Sequence, residues 1–497
     1  MLKNFFLLFV LLISCASYRG YADGLNFQTT ITLSNGGSNG GISVGFEPAS
    51  KNIICVWNDG TSILAVYSTD GGATFSTPIV IGEGSNANIG FDGAGKVFVT
   101  FNRGALGVFV TLSTDSGITY STPIKIGSDA NSSQIFFDSH SGHWIAIWTT
   151  QGFIMQSSYS ADGGLTFSTP INLGANGGIY PGFAFDPVTH NGAIAWRNSA
   201  TVYTAYTTDG GVTFSTPVVI ATNATHDSVV KIAFDPVSAA SNGVVIWVNT
   251  SNILQSAHTS DGGVTYGTAK NIFQVITAGV DPQLGFDSAV GNAIILSSSV
   301  VGIQETYSTD GGVTFSTPIV LSSIVDGNSA LAFDIITGYA YASWYVSGSI
   351  FVTFSTDGGV TFATPVSFGI TNPSEKPADI VSALNTVVVW PSTFGGGDTR
   401  IQAAVSFFVE PYSLSVFGKQ QLIKGLFQND IVNAISWNSI PTAQMYKVRD
   451  ANNNLLFQGD AQIFYDHGKK QGQNYTYFVS WIDQFSQEVG PVSVTVP

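Results

Sequence analysis

Through most of the chain, short apolar and β-branched runs alternate with clusters of Gly, Asn, Asp and Ser. Residues 88–126 show the pattern: Asn88–Phe91, Lys96–Phe101, Val108–Ser113 and Thr122–Ile126 each read as a strand bounded by turn residues. The unit then repeats. Tyr67-Ser-Thr-Asp70-Gly-Gly-Ala-Thr-Phe75-Ser-Thr-Pro78 returns six more times, with Asp115, Asp162, Asp209, Asp261, Asp310 and Asp357 at the place of Asp70, 45–52 residues apart. The aromatic five places on is Phe75, Tyr120, Phe167, Phe214, Tyr266, Phe315 or Phe362.

Four short strands per repeat predict the blades of a β-propeller, a closed all-β ring. Two fragments remain outside the seven repeats. Ile380-Val381, Thr386–Trp390 and Arg400–Phe408 read as the first three strands of a blade, and Phe27–Ser34, which aligns with Phe315–Ser322, reads as a fourth. Joining them closes the ring and removes its exposed edges. Eight blades are therefore expected, with seven as the alternative, over residues 25–410; a second all-β domain, a β-sandwich, follows over 411–497.

Composition narrows the function. Charged residues make up 10% of the 497, aromatic residues 12%, and Gly is abundant at 55. The net charge of −15 leaves little to neutralise phosphates, so nucleic acid is not an expected partner, and neither is an anionic membrane surface. The N-terminus reads as an export signal over residues 1–22: Lys3 supplies charge and Phe5–Ile13 a short apolar core. Leu12-Ile13-Ser14-Cys15 resembles a bacterial lipobox, which would put lipid on Cys15; Gly20-Tyr21-Ala22 resembles an ordinary cleavage site. The expected location is secreted or at the cell surface, with membrane contact only through that anchor. Cys55 is the other cysteine, so no disulfide is expected in the mature chain.

The repeated S-x-D-G-G-x-T-F resembles the Asp box, or BNR repeat, of sialidases, other glycoside hydrolases and non-catalytic propellers. The resemblance covers about 350 residues. Its Asp is expected to accept backbone N–H groups within the turn between third and fourth strands, with paired Gly residues supplying positive φ. No Glu stands nearby to complete a calcium loop, and no metal or cofactor is expected. A second acidic position, Glu47, Asp92, Asp138, Asp186, Asp235, Asp287 and Asp334, follows Phe at the turn between first and second strands. Much of the negative charge is therefore turn chemistry.

Candidate ligand chemistry falls on the opposite face. The second strand of each repeat ends in an aromatic: Trp57, Phe101, Trp148, Trp196, Trp247, Trp344 or Trp390, except in the sixth, which has Leu296-Ser297. These rings either fill the wedge between blades or form platforms for sugars and apolar groups. The loops from one blade to the next, such as Asn86-Ala-Asn88 and Asn131-Ser-Ser133, either supply groups that hydrogen-bond hydroxyls or are simply solvated loops. The resemblance to sialidases implies three Arg around a substrate carboxylate, a Tyr nucleophile paired with Glu, and an Asp acid/base. The propeller has three Arg, Arg103, Arg197 and Arg400, all at or near that face, and Glu305 precedes Tyr307 by two residues. Against this, residues 25–69 hold no Arg where sialidases place their first. The six His (His140, His143, His190, His226, His258 and His467) show no metal spacing.

After Glu410-Pro411 the chain resembles a fibronectin type III module. Ile435-Ser-Trp437, Tyr446-Lys-Val448, Phe464-Tyr-Asp466 and Tyr475-Thr-Tyr-Phe-Val479 carry the resemblance, which makes Trp437 the core Trp and Tyr475 the corner Tyr. The expectation is an exported, non-catalytic propeller that binds a glycan or a surface protein. The alternatives are a sialidase-like glycoside hydrolase and a purely structural surface protein.

Overall fold

The computed structural model describes residues 27, 30–34, 40–174, 181–225, 229–277, 281–324, 329–334, 338–346, 349–369, 379–383, 385–394, 398–407, 415–424, 429–438, 443–482 and 488–496. The chain divides into two compact units, Met1–Phe408 and Val409–Pro497.

In the first unit the apolar runs pair as four-stranded antiparallel sheets. The first sheet holds Gly40–Glu47, Asn52–Asn58, Ser62–Ser68 and Ile79–Glu83 in chain order, here strands A to D from the inside outward. Six more sheets repeat this order over residues 85–127, 132–174, 182–221, 231–274, 283–322 and 329–369. In the second sheet the strands are Ser85–Phe91, Val97–Asn102, Val108–Ser113 and Ile124–Gly127, close to those expected. Asn86-Ala87 and Ser132–Ser133, expected in loops, instead lie in A strands. Pairing runs further than the turn-forming residue types imply, with Ser85 opposite Asn102 and Ser132 opposite Thr149.

The eighth sheet is composite. Asp379–Ala383, Asn385–Phe394 and Asp398–Phe407 are its inner three strands, and Ile31–Thr32 is the outer one, with Ile31 opposite Ala403 and Thr32 opposite Gln402. The Leu33 amide donates to the Ile401 carbonyl at 2.8 Å, and the Ile401 amide donates to Ser34 Oγ at 2.7 Å. The A strand of this sheet lies against those of the seventh and first sheets. One buried cluster joins Val387, Val389, Ile401 and Ala403 to Ile53, Cys55 and Trp57; another joins Val388 and Trp390 to Ile350 and Val352. The unit is built as a β-propeller, its core lying between sheets.

The repeated C–D turn explains how sheets meet. Ser68 Oγ donates to Asp70 Oδ1 at 2.8 Å and accepts from the Gly72 amide at 2.7 Å. The Thr74 amide donates to Asp70 Oδ1 at 2.9 Å, and the Thr74 hydroxyl to Oδ2 at 2.6 Å. The same four bonds recur at the other six Asp. The turn satisfies its own donors, so it can be pressed against apolar surface without an unpaired amide. The Gly two places after the Asp makes that contact. A Cβ on Gly117 (φ +87) would stand 2.5 Å from Ile54 of the first sheet, and one on Gly312 (φ +91) would overlap Val244 of the fifth. The carbonyl after the Asp is then bonded by the preceding sheet: Asn52 Nδ2 donates to Ser116 O at 3.0 Å, Asn191 Nδ2 to Gly262 O at 3.4 Å, and Asn292 Nδ2 to Gly358 O at 2.9 Å.

In the second unit, Val416–Lys424, Asn429–Trp437 and Ile463–Asp466 form one antiparallel sheet. Met445–Asp450, Leu455–Gly459, Tyr475–Ile482 and Glu488–Val496 form another. Both contribute to one apolar cluster, Ile435 and Trp437 from the first with Val448, Val479 and Trp481 from the second. The Lys470 amide donates to Tyr475 Oη at 3.1 Å, and Tyr477 Oη donates to Asp466 at 2.7 Å.

Gly312→Ala meets both a left-handed backbone and a packed neighbour, and is expected to cost roughly 2–4 kcal/mol. Gly93→Ala has a similar φ of +70 but open space around its Cβ, so thermal melts should show a clearly smaller loss. Equal losses in the two variants would mean that the turn does not press on the neighbouring sheet.

Candidate functional site

At the B–C end of each sheet, register places three side chains in a row facing the preceding sheet. Trp57 stands opposite Leu64 and then Val80; Trp196 opposite Tyr203 and Val219; Trp247 opposite Gln255 and Asn271. The first member of the row is sealed. Trp57, Trp148, Trp247, Trp344 and Trp390 are 0% exposed and Trp196 is 2% exposed. The rings are therefore the packing of the wedge, and the platform reading of Trp57, Trp148, Trp196, Trp247, Trp344 and Trp390 is corrected: a ring without accessible surface cannot stack on a sugar. The preceding D strand gives way to the ring. A Cβ on Gly127 would stand 2.5 Å from Trp148, and one on Gly82 would overlap Phe101. Where the sixth sheet has Ser297 instead of a ring, the fifth supplies Phe273 at the place where other D strands carry Gly82, Gly127, Gly174 or Ala221, and Phe273 packs with Ile246 and Ile295.

The three Arg stand on the second, fourth and eighth sheets, in different surroundings. Arg103 pairs with Glu83, which comes from the first sheet, and lies 5.1 Å from the centre of the Phe109 ring. Arg197 is buried and donates to Ser199 O at 3.0 Å. Arg400 lies in a C strand opposite Ser392. Glu305 and Tyr307 do not form the expected pair. Glu305 is wholly buried in the face toward the seventh sheet, and neither of its oxygens has a hydrogen-bond partner. Its position in mid-strand, opposite Leu296 and Ile319, points it into the wedge between sheets. Burial, with the Asp357 carboxylate as the second cause, pushes its pKa up to about 9.

The acidic turn residues divide as their spacing implies. Partial burial opposes ionisation of Asp70, Asp115, Asp209, Asp261 and Asp310. Hydrogen bonds from the turn's Thr hydroxyl and amide outweigh it and hold these carboxyls below the usual range. At Asp162 the Thr166 hydroxyl is the largest cause of the same shift. Glu47 takes the amides of Ala49 (3.2 Å) and Ser50 (2.7 Å), and reaches the second sheet through the Gly95 amide at 3.0 Å.

Sequence reading missed the residues that tie sheets together. Asn52, Asn191 and Asn292, each at or immediately before the start of a B strand, were visible as a recurrent Asn at that place. Glu83, the partner of Arg103, carried no such signal. Nor did the ion pair of Lys231 in the fifth A strand with Asp281 before the sixth, at 3.1 Å. His143 bonds Gly210 O at 3.0 Å, and His140 stacks on His190 with centroids 4.0 Å apart. His226 and Cys15 lie outside the described residues. Among the described residues no group of three His, Cys, Asp or Glu is placed to hold a metal, and no helix is long and apolar enough to cross a membrane.

No family model matches the sequence, and no curated protein matches it. Solved structures do. The BP39L lectin from Burkholderia pseudomallei is 12% identical with a TM-score of 0.52, over 67% of this chain and 100% of its own. The NanB sialidase from Streptococcus pneumoniae is 12% identical with a TM-score of 0.40, over 69% and 70%. The Aleuria aurantia lectin is 12% identical with a TM-score of 0.35, over 56% and 95%. At this identity the likeness to BP39L establishes a shared fold.

Two outcomes follow. Trp344→Ala removes a sealed ring and should cost about 3–5 kcal/mol, read as a fall in denaturation midpoint; a change within about 0.5 kcal/mol would contradict its burial. The carboxyls of Asp70, Asp115, Asp162, Asp209, Asp261 and Asp310 have folded pKa values below their unfolded ones. Their stabilisation is present above an ordinary Asp pKa of about 3.9 and is lost as pH falls through the folded values. Their contribution should thus fade only below about pH 4, and replacing Asp70 and Asp209 by Asn should blunt the fall in melting temperature seen there. An acid limb of unchanged steepness in that variant would rule the carboxyls out as its source.

Proposed function

We propose that this chain is an exported, non-catalytic propeller of eight blades that binds a glycan, or a glycan-bearing surface protein, on the face carrying its B–C and D–A connections. The observation that carries this reading is a fold shared with a lectin over two-thirds of the chain. The Tyr nucleophile and its Glu partner that a sialidase-like hydrolysis would use are not supported at Tyr307 and Glu305, because Glu305 is sealed in a wedge. With the Trp rings buried, the contact falls to polar side chains of that face, Arg103 and Glu83 first among them. The repeats are Asp boxes. Residues 411–497 are a fibronectin type III-like sandwich that positions the propeller, a reading supported by the shared core of its two sheets. The leader 1–22 directs export, either with cleavage after Ala22 or with lipid on Cys15.

Purified mature protein on a glycan array, beside a fluorogenic sialoside, tests the proposal. Binding that free sugar competes away, without turnover, is the expected result, and Arg103→Ala should weaken it by about tenfold or more, as for loss of a charged hydrogen bond. Turnover lost in Arg400→Ala would establish the hydrolase instead. Silence in both assays would point to a protein partner or a structural role and overturn the glycan reading.

A further inference from the structure

The seam between the sixth and seventh sheets differs from every other inter-sheet contact among the described residues. Its apolar cluster is the smallest of them: Leu296, Ile303, Ala342, Trp344 and Val346. Glu305 stands in the same face. The corresponding place, five residues before the box Asp, holds Ala65, Val110, Ser157, Thr204, Ser256 and Val352 in the other repeats. All of these are small or β-branched and none is ionisable. The sixth sheet alone puts a carboxyl there, wholly buried, with both oxygens and the indole Nε1 of facing Trp344 lacking hydrogen-bond partners.

We infer that the contact between the sixth and seventh sheets is the ring's opening point, and that Glu305 makes its opening depend on pH. Among the described residues, the surroundings of Glu305 offer no countercharge. From its own sheet it meets Leu296 of strand B and Ile319 of strand D. From the seventh sheet it meets the box turn, where a Cβ on Gly359 would stand 3.4 Å from Glu305 Oε1 and the Asp357 carboxylate adds repulsion. On its own strand and turn the titratable groups are Tyr307 and Asp310. A buried carboxylate without a partner is costly, so the closed seam keeps Glu305 protonated, whereas the opened seam hydrates it and lets it ionise.

The sign follows from that difference. The closed-state pKa, about 9, lies above the ordinary 4.5. The seam is therefore tightest below the ordinary value and loosens as pH rises, until the closed state itself ionises. Between those limits each opening releases one proton, so the opening constant rises about tenfold per pH unit.

Hydrogen-exchange mass spectrometry of the mature protein at pH 6, 7, 8 and 9, corrected for intrinsic exchange, reads this directly. Amides of Gly302–Ser308 and Ser349–Ser355 should show opening constants that climb about tenfold per pH unit, while those of Val97–Asn102 stay flat. Glu305→Gln should abolish the climb. Glu305→Val, which carries the side chain found at Val110 and Val352, should abolish it and also raise protection at pH 8, so the test survives if the Gln variant folds poorly. A climb that persists in the Val variant, or one equal at all seams, would overturn the inference.

Discussion

Each sheet of the ring is held to the one before it by a turn that has already satisfied its own polar groups. The Asp carboxylate and the Ser or Thr hydroxyl consume the turn's amides, which lets the Gly two places after the Asp sit on an apolar side chain of the neighbour with no Cβ between them. At Gly117 against Ile54 and at Gly312 against Val244 the approach leaves no room for a methyl group. Polarity inside the turn and apolar contact outside it are thus one device. The Asn side chains that reach across to the turn's carbonyls add direction to a contact that packing alone would leave free to slide.

Much of this was legible in the sequence because it repeats. Seven copies of one motif reveal which residue types each place requires, so the strands, the turn chemistry and the composite eighth sheet are legible in the sequence. Period-2 alternation was less informative at strand ends, where Asn86 and Ser132 read as loop residues but lie in A strands. The ambiguity at the Trp positions had a different origin. A large ring at the end of a strand satisfies both a wedge and a platform, and only the position of the neighbouring sheet decides between them. The Gly residues at 82 and 127 carried that information, but only as partners of Phe101 and Trp148 across the wedge.

The candidate site was legible only as a list of rare residues. In a chain with 17 Lys and Arg, three Arg near one face invite a common role, yet Arg103 is committed to Glu83, 20 residues earlier and on another sheet. Glu305 was chosen because it was a Glu inside a strand. That same fact places it in a sealed interface, since every mid-strand side chain of a radial sheet faces a neighbouring sheet. Places where the repeat is broken, such as Glu305, Ser297 with Phe273, and Lys231 with Asp281, are where this chain departs from the requirements of its own architecture.

The eighth sheet has a consequence in time rather than in space. Its outer strand is the first described strand of the chain, and the Ser34–Ile401 bond that fixes it spans 367 positions. A chain made from its N-terminus must therefore carry Ile31–Thr32 unpaired while the intervening sheets form, and the first sheet keeps an uncovered flank until residues near 400 arrive. Closure is the last long-range event, it carries a large loop-closure entropy, and until it happens the partly built ring has two open flanks of matching shape. The final contact thus also ends the interval in which two unfinished rings can join each other.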